Sequence, residues 1–584
     1  TDVDTFTGGI DNSGRIDSEY TAIYIYNSGG TADSFGGGIV NSGEIESAED
    51  YGIYVYDIET FTGGIANSGT IDSEDTSIYL DEIESFEGGI VNSGLIQSDS
   101  GWGLYLEDVE TFAGGIANSG SIQSYSTGIF LYDLDSFAGG IANSGVIDSD
   151  ESTGIYLEDV STFDGGIQNS GTIRAAEIGI FVSDSDSFGG GIQNSGLIDA
   201  QDSYGIYVYS VDTFTGGIAN SGSIDAYYDG IYVYSVTSFD GGIVNSGLIE
   251  SSDSYGIYVQ SVDTFTGGID NSGTIRSYYT GIEVSQVSSF GGGIVNSGLI
   301  DAFDDTGIEL YSVDTFTGGI LNSGVIDAES TGIYVFNADS FDGGITNSGT
   351  IFATGAGIYV YSVDTFTGGI ASSGLIESDS PGIYLTDIDS FSGGIANTGT
   401  IYANDSYGIY VYDVETFTGG ISNSGLLESD DTALYVTSVT SFSGDISNSG
   451  TIRADFDYGI QIYDVETITG SVLNSGLIEQ VDYGIYMYDV DTMTGGIANS
   501  GTIIADSYGL YITDVTMAGG IVNSGVIDPD TGIYLTSSSI AGGITNTGTI
   551  IGSNYAINAD NLGSDVAMKL LQSSASCASS CRAA

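Results

Sequence analysis

The chain has 584 residues, of which 91 are glycine, and its 80 acidic and 6 basic side chains give a net charge of −74. This charge excludes binding to nucleic-acid phosphates and a basic helix on a membrane surface. The chain has no histidine and a single lysine (Lys569), which excludes most general-base, Schiff-base and zinc chemistry. No apolar run reaches the roughly 18 residues of a membrane span, whereas the 41% hydrophobic content is too high for a disordered acidic chain.

The first residues already belong to a repeat. Residues 2–9 nearly match residues 210–217, and neither a capping segment nor a signal peptide precedes them. Because a bare end of a stacked repeat protein exposes strand edges, we expect either a processed fragment or an open end that receives another molecule head-to-tail. Head-to-tail contacts that do not close build filaments.

One phrase, Gly-Gly-Ile-x-Asn-Ser-Gly-x-Ile, recurs about every 25 residues and is present in 22 copies. Ser372 replaces its asparagine once. A repeat this short cannot bury its apolar side alone, so successive repeats must stack. The asparagine lies at positions 12, 41, 67, 92, 118, 143, 169, 194, 220, 245, 271, 296, 322, 347, 397, 423, 448, 474, 499, 523 and 546.

The residues between these phrases have strand patterning. In residues 52–56 and 205–209, β-branched and aromatic side chains alternate with a period of two. Asn-Ser-Gly is turn chemistry, in which Asn tolerates the left-handed region and Gly removes the penalty for positive φ. The predicted fold is all-β: a single long parallel β-helix of about 22 coils, each with two or three short strands and spaced ~4.8 Å apart.

Stacking places residue n above residue n + 25 or n + 26, so equivalent residues form columns along the solenoid. We expect a column of stacked phenylalanines from Phe6 to Phe442 and a core column of the phrase isoleucines. The asparagines form either a hydrogen-bonded amide ladder or a turn that simply requires Asn. Three arginines of a mostly acidic column are each predicted to lie between acids: Arg174, Arg276 and Arg453.

Tyrosines form a second column, which faces outward. A long amphipathic aromatic stripe on a surface suggests contact with a sister molecule, a sugar polymer or another surface. The alternative is ordinary β-propensity with tyrosine packed on tyrosine. The candidate contact residues are Tyr54, Tyr79, Tyr105, Tyr156, Tyr207, Tyr232 and Tyr258.

The densest acidic patch flanks one inward apolar column over four coils. Because calcium prefers six to eight oxygen ligands, one interpretation is a row of Ca²⁺ sites. The other is an acidic face that is solvated and screened by salt. The candidate ligands are Asp57, Glu59, Glu82, Glu84, Asp108, Glu110, Asp133 and Asp135.

No catalytic or cofactor-binding residue is predicted. An active site breaks the symmetry of a repeat, but here the acids stay in register with it and no long insertion could wall a cleft. We therefore expect no enzyme. A carboxylate-based, polysaccharide-active β-helix enzyme is the third alternative for function.

The repeat decays after Ile551, which predicts a solenoid domain at 1–551 and a capping or joining segment at 552–584. Residues 564–572 fit a short amphipathic helix over the last coil. Cys577 and Cys581 would form either a local disulfide or a link between neighbouring subunits in an oxidising exterior.

The Asn-Ser-Gly-x-Ile and Gly-Ile-Tyr-Val phrases resemble the passenger regions of bacterial autotransporters and related adhesins over roughly residues 2–551. The resemblance implies a right-handed parallel β-helix at a Gram-negative cell surface that serves adhesion, aggregation or matrix formation. The sequence departs from that family in having no membrane β-barrel region at its C-terminus, so self-translocation and covalent anchoring are not carried over.

These observations predict an extracellular structural protein of the bacterial cell surface. It would self-associate, head-to-tail or laterally, into a filament or surface layer, with calcium as a stabilising ion. The alternative is a monomeric adhesin stalk whose tyrosine column or acidic face contacts a glycan or host surface. Neither a nucleic-acid partner nor membrane insertion is expected.

Overall fold

The computed structural model describes residues 5–27, 34–455 and 457–560, and its regular elements there are all β-strands. The chain divides into two compact units, residues 1–292 and 293–584, each with eleven of the 22 repeats. Each repeat forms one turn of a parallel β-solenoid, so the predicted fold class is confirmed. Among the described residues, no helix could span a membrane.

A turn contains three strands, which we call short, middle and long. The short strand has three residues and ends at the phrase asparagine (Ser372 in one turn), from Ile10–Asn12 to Ile269–Asn271 in the first unit and from Ile294–Asn296 to Ile544–Asn546 in the second. The middle strand begins three residues later and has four residues, from Arg15–Ser18 to Thr451–Ala454. Near the end of the described chain it shortens to Val526–Asp528 and Thr549–Ile550.

The long strand ends at or just after the phenylalanine column. The first unit contains Ile53–Phe61, Ile78–Phe86, Leu104–Phe112, Ile129–Phe137, Ile155–Phe163, Ile180–Phe188, Ile206–Phe214, Ile231–Phe239, Ile257–Phe265 and Ile282–Phe290, and its first turns add the pieces Thr5–Phe6, Ile23–Tyr26 and Ser34–Phe35. The second unit contains Ile308–Phe316, Ile333–Phe341, Ile358–Phe366, Ile383–Phe391, Ile409–Thr418, Leu434–Ser443, Tyr458–Ile468, Thr531–Thr536, Ser539–Ile540 and Tyr555–Asp560. In two of its turns the middle and long strands are continuous, as Leu477–Met493 and Thr502–Met517.

Strands of successive turns pair in parallel and in register, which confirms the predicted columns. Phe214 pairs with Phe239, and their ring centroids lie 4.9 Å apart. From Phe61 to Phe290 the stacked rings are 4.6–4.9 Å apart, with planes within 19° of parallel. These rings are fully buried beside the isoleucine columns, so the core of each unit is a set of apolar stacks.

Two glycines of the phrase are required for different reasons. The second glycine of Gly-Gly has positive φ, as at Gly64 (69°). The glycine of Asn-Ser-Gly does not, so the predicted reason for it was wrong. It is required because the turns approach closely: a Cβ on Gly69 would lie 2.0 Å from the carbonyl oxygen of Gly43.

A corner inside the long strand was not predicted. The fifth residue of these strands has φ of 49–58° in turn after turn, for example Asp57 and Ser235. This left-handed corner shifts the inward positions from Ile53 and Val55 to Ile58 and Phe61. Asp and Asn tolerate this conformation better than most other residues with a side chain, which explains why Asp is common in the column.

The last described strand, Tyr555–Asp560, pairs with Thr531–Thr536. The predicted helix at 564–572 and the cysteines Cys577 and Cys581 lie outside the described residues.

Candidate functional surfaces

The tyrosine column follows the second residue of the long strands. Tyr54, Tyr79 and Tyr105 are half-buried and stack with ring centroids 4.7 and 4.8 Å apart and planes within 5°. Other predicted members stack in the same column: Tyr207 on Tyr232 at 4.9 Å, Tyr232 on Tyr258 at 5.0 Å, and Tyr156 edge-on to Phe130 and Phe181 at 4.8 Å each.

Several hydroxyl groups of this column donate hydrogen bonds to the next turn. Tyr54 donates to Asp81 Oδ2 at 3.1 Å and Tyr79 donates to Glu107 Oε2 at 2.7 Å. Partial burial raises the pKa of Tyr359 to about 12 in the equivalent column of the second unit. Because neighbouring rings cover much of each ring face, the column presents mainly ring edges outward, which favours the interpretation as internal ladder packing.

The predicted calcium ligands lie in two columns on either side of a buried apolar column that contains Ile58 and Val109. Asp57, Glu82, Asp108 and Asp133 occupy the left-handed corner, and Glu59, Glu84, Glu110 and Asp135 follow two residues later. Asp57 and Glu59 are half-buried and the other six are exposed. In the part of the chain that the structure describes, no group of three or more His, Cys, Asp or Glu is arranged to hold a metal ion.

Like charges already compete within this patch. Partial desolvation of the carboxyl group, a hydrogen bond with Asp133 and the charges of Asp133, Glu107 and Asp81 raise the pKa of Asp108 to about 6. The repulsion between two such carboxylates is lowered either by a shared proton or by a bound cation. Calcium binding here remains a prediction.

Two of the predicted arginine contacts are confirmed. Arg174 lies 3.5 Å from Asp148 on one side and 3.5 Å from Asp199 on the other. Arg453 lies 3.3 Å from Glu428 and 3.0 Å from Glu479. These pairs are partly exposed, so each contributes at most about 1 kcal/mol. Arg276 pairs in register with Glu250.

The asparagine column is both a ladder and a turn. Asn67 Nδ2 donates to Asn92 Oδ1 at 2.8 Å and to the carbonyl of Leu95 at 2.9 Å, and the side chain is buried. In the same way, Asn41 Oδ1 accepts from the backbone N–H of Gly43 at 3.2 Å. Both interpretations from the sequence are therefore correct.

A third surface was not predicted from the sequence. It is formed by the middle residues of the short strands in the first unit, with the serines of Asn-Ser-Gly beside them, and we call it the uncharged face. Its central residues, all exposed or half-buried, are Val40, Ala66, Val91, Ala117, Ala142, Gln168, Gln193, Ala219 and Val244. The signal was visible in the repeat, since only Asp11 and Asp270 put a charge at this position in all 22 copies.

A shallow groove of about 350 Å³ runs along this face from Val91 to Val244. Alanine and glutamine side chains and the edge of the asparagine ladder line it. Val40, Val91 and Val244 each expose 46–50% of their surface.

Comparison of the chain with protein-family models, with curated proteins and with solved structures found no match. The resemblance to autotransporter passengers and adhesins, with the handedness that it implies, therefore remains a hypothesis.

Proposed function

We propose that this chain is an extracellular structural β-solenoid of the bacterial surface that self-associates into a filament or surface layer. The observation that carries the proposal is that successive turns of each unit pair in parallel, and almost everywhere in register, so that surface positions recur at the spacing of the turns. A contact that is weak in one turn is repeated in the next with the same spacing, so two copies with equal periods multiply it.

Like charge is the main obstacle to such association. The chain carries −74 charges, and carboxylates about 4 Å apart repel by about 1 kcal/mol even in water. Association should therefore strengthen with salt, because screening weakens this repulsion. We also propose that calcium promotes assembly by neutralising the acidic corners within each copy, which lowers the repulsion between copies.

The test is sedimentation velocity with electron microscopy of the purified chain over a wide concentration range, at low and high NaCl. We expect concentration-dependent filaments or layers that grow with salt. Single particles under all conditions would instead favour the adhesin stalk. Adding EDTA, then CaCl₂ or MgCl₂ at equal ionic strength, isolates the metal effect, and equal assembly in all three would remove calcium from the proposal.

A further inference from the structure

We propose that the uncharged face of the first unit is the surface through which two copies of this chain associate side by side. The inference rests on the proposed self-association and adds the surface that performs it. It follows from where charge is present on the molecule and where it is not.

Charge blocks two other exposed columns of the first unit. The middle strands carry an acidic column that includes Asp148, Asp199 and Asp225, and the left-handed corners carry six consecutive acids from Asp57 to Asp184. A second copy that approached through either column would bring carboxylates together. The central column of the uncharged face contains no carboxylate over its nine turns, from Val40 to Val244.

The same face offers apolar area. Val40, Val91 and Val244 are about half exposed, and small side chains such as Ala117 and Ala142 let two sheets approach closely. The groove between Val91 and Val244 is open to side chains of the second copy. Removing these apolar groups from water supplies the driving force, which screening alone cannot.

The area of this face predicts a weak lateral contact between two copies. A three-residue strand is about 10 Å wide and turns are spaced about 4.8 Å, so the nine turns of the uncharged face offer about 430 Å² per copy. This is below the roughly 800 Å² per partner of a stable interface. A contact through the first unit alone is therefore expected to be weak and to form at high protein concentration. The second unit has the same uncharged position in all its repeats and offers a similar face of its own.

The test uses isosteric changes that add charge. Gln168→Glu with Gln193→Glu places two carboxylates on the face, at a position where Asp11 and Asp270 already show that an acid is tolerated. The matched control, Gln97→Glu with Gln123→Glu, adds two carboxylates to the acidic column of the same unit. Far-UV circular dichroism verifies that both variants fold.

We expect the face variant to weaken association of the full chain by about tenfold or more in sedimentation equilibrium, because it buries unpaired charge. The control should change it by less than about twofold, as expected for exposed charges. If the wild type assembles and both variants assemble equally, the uncharged face is not the contact, although the proposed function stands. If the wild type is monomeric throughout, the proposed function itself fails.

Discussion

At the scale of single residues, the asparagine ladder has one weak step. Asn347 Nδ2 lies 3.4 Å from Ser372 Oγ, whereas Asn322 reaches Asn347 and Asn397 reaches Asn423 at 2.8 Å. The serine side chain is one atom shorter than asparagine and has no amide N–H to donate to the next asparagine of the ladder. The backbone of this turn nevertheless keeps its register, since residues 370–372 pair with 345–347 and 395–397.

Ser372→Asn should therefore stabilise the second unit by about 1 kcal/mol, the usual net value of one buried hydrogen bond. Urea unfolding followed by circular dichroism measures the change. Ser373→Asn is the control, because that side chain is exposed outside the ladder. An unchanged or lower free energy of unfolding for Ser372→Asn would show that the ladder contributes little beyond the turn itself.

At the scale of strands, the features that could be predicted are those in which the same residue type recurs at the spacing of the repeat. The Phe, Ile and Asn columns follow directly from spacing, because stacking converts a sequence period into contact, as between Phe214 and Phe239. The left-handed corner was not predicted, although the residues on both sides of it were expected to point inward. Its signal is the phase shift of the inward side chains from Val55 to Ile58.

The candidate surfaces were predicted less completely, for a physical reason. Charged and aromatic columns stand out in a sequence, so the corner acids such as Asp57 and the stacked tyrosines such as Tyr79 were identified at once. Whether a ring presents its face or its edge depends on side-chain rotation, which the sequence does not contain. The uncharged face is defined by missing charge at residues such as Ala142, and it becomes visible only when neighbouring columns are placed around it.

The corner makes a prediction for a single strand. Ser235 has φ 58°, so Ser235→Val should destabilise the first unit by about 1–2 kcal/mol, the cost of a left-handed conformation for a β-branched residue. Ser238→Val is the control, because Ser238 lies in the extended part of the same strand, where valine is favoured. The fluorescence of Trp102, the one tryptophan of the chain, reports unfolding of this unit. Equal destabilisation by both changes would contradict a special role for the corner.

At the scale of the whole molecule, burial and the stacking of acidic turns disfavour the ionised form of some carboxyl groups at neutral pH. Burial raises the pKa of Asp229 to about 6, although the backbone N–H of Tyr255 donates to it at 3.1 Å. Burial and the neighbouring Asp431 raise the pKa of Asp457 to about 7. Because these folded-state values exceed the unfolded value, the folded chain binds protons first as the pH falls from about 7 to about 4, and protons therefore stabilise it in this window.

Thermal unfolding should accordingly show a higher midpoint at about pH 5 than at about pH 7.5, opposite to the usual behaviour of proteins whose carboxylates are paired with cations. For buried Asp229 alone, a shift from 3.8 to about 6 corresponds to about 3 kcal/mol at neutral pH. Asp229→Asn removes this charge, so it should raise the midpoint at the higher pH and narrow the difference between the two. Asp253→Asn is the exposed control and should leave the difference unchanged. A thermal midpoint that falls on acidification would contradict this prediction. It would mean that bound cations or solvent already neutralise the repulsion between turns, so that proton uptake by these carboxyl groups does not govern stability.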